Sequence, residues 1–184
     1  DPLLGLVRRV LVDGTSRSYL LDSQLCRVLV VDDQGRVRGR LGRSGEGPGE
    51  FRRPHDLLWL PDGRLGVAQN NPPRVAVLDR GGGAHSDLPL GPGGGAFHLG
   101  RVRAAGPLLV LDCVEMVLRD GVLRSLHRLE LRRLDGQRVK VVARRTRDLG
   151  RPGGPLRLEG AAAAPARLWT TDADGRLYLV RGHE

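Results

Sequence analysis

The sequence predicts an all-β fold of β-propeller blades, each a small sheet of antiparallel strands, about three to four blades forming an open arc or partial propeller. Three observations carry this expectation. Short runs of Val and Leu alternate with turn-forming pairs: Asp13-Gly14, Gln34-Gly35, Asp62-Gly63, Asp120-Gly121, Asp135-Gly136 and Asp174-Gly175. Glycine tolerates positive φ and Asp hydrogen-bonds its own backbone, so such pairs read as hairpin turns. A segment repeats at a step of 47 residues, from Arg27 to Arg74, within the period of about 40 to 50 residues expected of blades. No segment sustains a helical period with caps.

The first copy runs from Val12 to Asp32 and the second from Pro61 to Asp79. Each has an Asp-Gly turn, an apolar strand, a polar residue (Asp22 or Gln69), and then Arg-Val opening a second strand at Arg27 or Arg74. Asp22 and Arg27 flank a tight strand-to-strand turn, where a charge-assisted hydrogen bond between them is expected to hold the corner. With Gln69 in place of the Asp, the matching bond to Arg74 is expected to be weaker. A third copy starts at Gly106 to Asp112, but its next strand, His127 to Leu131, arrives late. Residues 113–126 therefore read as an inserted hairpin or an elongated strand pair around Asp120-Gly121. A fourth copy opens at Asp174 and stops at Glu184. The expected units are 1–44, 45–91, 92–152 with the insertion, and a truncated 153–184, together one partial domain. An arc of this kind exposes a strand edge at each end. The expectation is thus a fragment of a larger propeller, or closure by self-association.

The stretch Leu41 to Leu57 reads LGRSGEGPGEFRRPHDL. It resembles the inter-blade linker of NHL-repeat propellers, whose bacterial members are commonly six-bladed. The resemblance covers the first half of the chain well; in the second half it rests on Gly91 to Phe97, Leu131 to Val142 and the last copy. Gly45, Gly47 and Gly49 let the chain reverse, Phe51 is expected to plug the wedge between adjacent blades, and Pro54 stiffens the start of the new strand. By the resemblance, Asp22, Arg27, Gly47, Gly49, Phe51, Pro54 and Arg74 are structural motif residues. Proteins similar in this way are often exported, which places a periplasmic or extracellular location ahead of a cytoplasmic one.

Some NHL-type relatives are peptidyl-hydroxyglycine amidating lyases, and a Pro-His pair like Pro54-His55 supplies one of their three zinc-binding histidines. The carry-over ends at His55. His85, His98, His127 and His183 do not recur at matching places, and a zinc site needs at least three converging ligands. No metal, cofactor or catalytic residue is therefore assigned. The chain has no G-x-S-x-G, P-loop or H-E-x-x-H motif. Asp172 to Gly175 lacks the later ligands of a calcium loop, and Gly91 to Gly95 lacks the Lys and helix of a phosphate cradle.

Composition narrows the partners. The formal net charge of +9 is carried almost wholly by Arg, with Lys140 the single Lys, no Ile, and Asn only at positions 70 and 71. A GC-rich genome accounts for that bias without a polyanionic partner. Aromatic residues make up 3% of the chain, too few for base stacking along a strand, which argues against nucleic acid. No apolar stretch has the length of a membrane span. Cys26 and Cys113 lie far apart beside apolar runs and read as free core cysteines. The leading expectation is a non-catalytic module binding a protein, peptide or glycan through loops on one face, with Arg53, His55, Asn70 and Asn71 as contact residues. The alternative is a metal-dependent lyase or hydrolase of the NHL type, its centre partly on blades beyond this chain.

Overall fold

The computed structural model describes residues 4–83, 87–90, 96–150, 169–171 and 177–179. The protein is all-β, with several antiparallel sheets, and divides into two compact units, Asp1–Leu90 and Gly91–Glu184. None of the described sheets closes on itself. His85, His183, Gly91 to Gly95, Ala161 to Ala164 and the Asp172 to Gly175 turn lie outside the described residues.

In the first unit, β1 (Val7–Val12), β2 (Ser18–Asp22), β3 (Arg27–Val31) and β4 (Val37–Leu41) form a four-stranded meander. Two short strands, β5 (Arg43–Ser44) and β6 (Glu50–Phe51), pair in parallel within the Gly-rich stretch. A second meander follows: β7 (Asp56–Trp59), β8 (Leu65–Asn70), β9 (Pro73–Leu78) and the short edge β10 (Leu88–Pro89). Central β8 and β9 are buried along nearly their whole length, as expected of strands covered on both faces. Edge strand β1 instead alternates half-buried and exposed residues. The two sheets share one core, in which Tyr19, Leu21, Val28 and Val30 meet Leu57, Leu65, Val67, Ala76 and Leu78.

Four hairpins here share one turn. The residue at position i donates its N–H to the carbonyl of i+4, and i+3, at positive φ, donates back to i: Asp13–Arg17, Asp32–Arg36, Leu60–Arg64 and Asp79–Gly83. This is the three-residue hairpin loop with a left-handed third residue. Gly35, Gly63 and Gly82 supply that residue, but in the first loop it is Ser16, at φ 60°. Gly14 is not the left-handed residue. Asp13 offsets the cost by accepting hydrogen bonds from the Thr15 and Arg17 N–H groups and the Thr15 hydroxyl.

The second unit contains β11 (Ala96–Ala105), β12 (Leu108–Arg119), β13 (Val122–Arg132) and β14 (Arg138–Gly150), a meander of long strands, and the pair β15 (Trp169–Thr171) and β16 (Leu177–Leu179). Residues 113–126 continue β12 and β13 in unbroken register from Leu109 opposite Arg132 to Arg119 opposite Val122. The extra length is strand, not a separate hairpin. Asp120 and Gly121 close it at φ 52° and 70°, the two left-handed residues of a type I′ turn. Cys26 and Cys113 are free and buried, one in each unit. Burial pushes the Cys113 thiol up to about 12.

Candidate functional site

The Gly-rich stretch is shaped by two side chains and one remote arginine. The Glu50 carboxylate accepts the Gly47 N–H at 2.9 Å and the Arg43 Nε–H at 2.7 Å, holding the loop in a closed curl. A Cβ on Gly45 would lie 2.0 Å from that carboxylate, so a side chain there would displace Glu50 from the curl. Phe51 is fully buried among core residues of both sheets, with its ring over Gly42. Gly49 sits at φ 71° at the bend into β6. Arg74, buried in β9, donates through Nη2 to the Glu50 carbonyl at 2.9 Å and through Nη1 to the Glu46 carbonyl at 3.1 Å, and pairs with Asp87. Arg74 therefore staples β9 to the linker and to the segment before β10. Burial raises the Asp87 carboxyl, and the Arg74 charge opposes that rise.

Asp22 and Gln69 do the same local task by different chemistry. Asp22, fully buried, accepts four backbone N–H groups, from Gly5, Leu6, Gln24 and Leu25. Burial raises its pKa, but these hydrogen bonds outweigh it and leave a net lowering. Gln69 accepts the Arg52 N–H at 3.0 Å and donates to the Asn71 and Pro72 carbonyls. Both thus tie the β-turn beside them to a segment 17 residues upstream. Arg27 stands directly opposite Asp22 in the ladder. In the second copy Arg74 reaches away from Gln69, to the linker.

The expected contact residues gather where β7 begins and β8 ends. The His55 N–H donates to the Ala68 carbonyl, and its Nδ1 lies 3.4 Å from the Asn70 amide nitrogen. Asn71 is exposed in the turn to β9, its carbonyl held by Gln69. Arg53 is exposed, with a left-handed backbone at φ 49°, and Pro54 beneath it is buried. The structure brings His55 and Asn70 into contact and leaves Arg53 and Asn71 on neighbouring loops. Two residues absent from the sequence expectation join them: buried Asp56, and Arg9 of β1, whose Nε is 3.7 Å from the Asp56 carboxylate. Asp56 directly follows His55, but only the packing of β1 beside β7 reveals Arg9. Among the described residues, no group of three or more His, Cys, Asp or Glu side chains is placed to hold a metal ion.

The second unit holds a denser charged centre. Glu130, fully buried in β13, is bound by Arg128, Arg132 and Arg138 at 2.9, 2.8 and 3.3 Å, and Arg128 also pairs with Glu115 at 2.8 Å. Burial pushes the Glu130 carboxyl up; the arginines overcome this and hold it below its ordinary value. His127, on the other side of β13, is lowered by burial and by Arg147 and Arg145.

Comparison with known proteins gives fold-level likeness only. No family model matches the sequence, and no curated protein does. Among solved structures, a streptogramin B lyase is similar over 77% of this chain and 55% of its own, at 9% identity and TM-score 0.49. A protein from Lactobacillus plantarum is similar over 95% of this chain and 54% of its own, at 16% identity and the same TM-score. The chain spans about half the length of each. No helix among the described residues is long and apolar enough to cross a membrane.

Proposed function

We propose that this chain is part of an NHL-type β-propeller, with blade units at 1–44, 45–91, 92–152 and 153–184, and that it acts as a binding module. Its ligand, a protein, peptide or glycan, is engaged by the polar corner where β7 opens. The observation that carries this reading is the His55–Asn70 contact, 3.4 Å between side-chain nitrogens, flanked by the Asp56–Arg9 pair and exposed Arg53 and Asn71. Donors and acceptors converge at the end of a rigid, buried sheet, the placement from which propeller loops present ligand sites. Asp22, Arg27, Gly47, Gly49, Phe51, Pro54 and Arg74 are assigned a structural role in the sheets and the Gly-rich stretch. The test is a binding screen of the full chain against arrayed glycans and peptides, repeated with His55→Ala/Asn70→Ala. A ligand retained by the wild type and lost by the variant supports the site; one bound equally by both removes it.

A second reading is a metal-dependent lyase or hydrolase whose centre lies partly on strands beyond this chain. The observation behind it is Pro54-His55, with a half-buried imidazole at the head of β7. Elemental analysis of purified protein separates the two readings. Stoichiometric zinc abolished by His55→Ala favours the lyase; zinc content indifferent to His55 excludes this version.

A further inference from the structure

The elongated strands of the second unit build a groove that the His55 corner does not involve. Side chains alternate across a strand, which puts Val117 and Arg119 of β12 on one face with Arg124, Leu126 and Arg128 of β13. Two register shifts in the β13–β14 ladder bring Arg138, Val141, Arg144 and Thr146 of β14 to that same face, around one concavity of about 530 Å³. Five of the nine lining residues are arginines. Their carboxylate supply is already committed: Arg124 pairs with Asp148 and Asp120, Arg128 with Glu115 and Glu130, and Arg138 with Glu130. Glu130 is further shared with Arg132. Among the described residues, Arg119 and Arg144 have no carboxylate within ion-pair distance, and both are exposed.

From this arrangement we infer that the groove binds an extended acidic peptide. The two unmatched guanidinium groups stand well apart along it, Arg119 at its turn end and Arg144 short of Arg138, which lies opposite Arg132. Arg119 is beside the hairpin turn, next to Val122, whereas Arg144 stands opposite Arg128. Along β13 those positions are about 20 Å apart at the rise of a strand. One phosphate or a small dicarboxylate cannot span that distance; about six extended residues carrying carboxylates can. Each guanidinium offers a planar fork that matches a carboxylate. Val117, Leu126 and Val141 supply apolar floor for the stems between the charges. The lining contains no aromatic ring, so the stacking platform of a single-stranded nucleic-acid groove is missing.

Fluorescence anisotropy of a fluorescein-labelled octaglutamate with the full chain, at about 0.15 M salt, tests the inference. Arg119→Gln/Arg144→Gln is expected to weaken binding by about tenfold or more. A control pair of exposed arginines in the first unit, Arg8→Gln/Arg17→Gln, removes the same charge and is expected to leave binding unchanged. Arg119→Lys/Arg144→Lys keeps the charge without the fork and is expected to fall between. This Lys pair carries the test should the Gln pair lower the unfolding midpoint. Equal losses from both Gln pairs would show that net charge alone attracts the peptide, and would overturn the site. Absence of peptide binding, or tighter binding of a labelled oligothymidylate that Arg119→Gln/Arg144→Gln also abolishes, would overturn it too.

Discussion

Arg74 ties three separate groups of the first unit to one side chain. Its guanidinium satisfies two linker carbonyls and Asp87 from a buried position. Removing it leaves those groups without their donor, so Arg74→Ala is expected to cost about 3 kcal/mol or more in denaturant unfolding. Arg74→Lys should recover little of that, because an ammonium cannot reproduce the fork. Phe51→Ala is expected to cost about 3–5 kcal/mol by the same measurement. Gly42→Ala attacks the same contact from the other side: its Cβ would lie 2.1 Å from the Phe51 ring, at φ 75°. Phe51 and the glycines lie in the Gly-rich stretch Leu41 to Leu57, which stands out in the sequence by its composition. The sequence does not mark Glu50 or Asp87 as an anchor, since only the curl of the loop brings Arg43 and the Gly47 N–H to Glu50, and only sheet packing brings Arg74 to Asp87.

Glu130 sets a pH dependence. Its folded pKa lies below the ordinary 4.5, so its contribution to stability is fully present above the unfolded value and is lost as pH falls through the folded one. Glu130→Gln should therefore flatten the acid side of the stability curve while lowering stability at neutral pH. Urea unfolding between pH 7 and 3 checks both. An unchanged acid limb would show that Glu130 is not the linked group.

Among the elements, the β12–β13 hairpin gives the clearest division between local and distant information. The Asp120-Gly121 pair specifies the turn, and runs of Val and Leu specify strand. Sequence spacing left an insertion and an elongation equally open, because a period comparison cannot tell an added hairpin from longer strands. The register decides for elongation, through ladder pairs from Leu109 to Arg119. Gly121→Val is expected to destabilise by roughly 1–2 kcal/mol, since a β-branched residue resists the left-handed conformation. A thermal melt of the variant would reveal it. The Asp13 loop carries the converse lesson: an Asp-Gly pair marked the turn correctly, while hydrogen bonding moved its left-handed position to Ser16.

At the scale of the molecule, each compact unit carries one buried, free cysteine. These thiols are natural reporters of opening, and Cys113, pushed up to about 12, is chemically quiet when folded. In Cys113→Ser and Cys26→Ser chains, the remaining thiol is expected to label with a disulfide reagent only as its own unit opens. Rapid stoichiometric labelling of either under native conditions would contradict that burial.

Strands, hairpin turns and an all-β class follow from local chemistry: alternating or continuous apolar runs, glycine at positive φ, and Asp binding its own loop. Those preferences act over a few residues, so the sequence displays them directly. The pairing of Arg74 with the linker, the burial of Glu130 among three arginines and the approach of Arg9 to Asp56 depend on strand register and sheet packing. Register is a collective property, decided by which whole arrangement buries the most apolar surface while satisfying every backbone group. Composition shows only that arginine is abundant; folding gathers five of these arginines along one groove, where, among the described residues, Arg119 and Arg144 have no carboxylate within ion-pair distance.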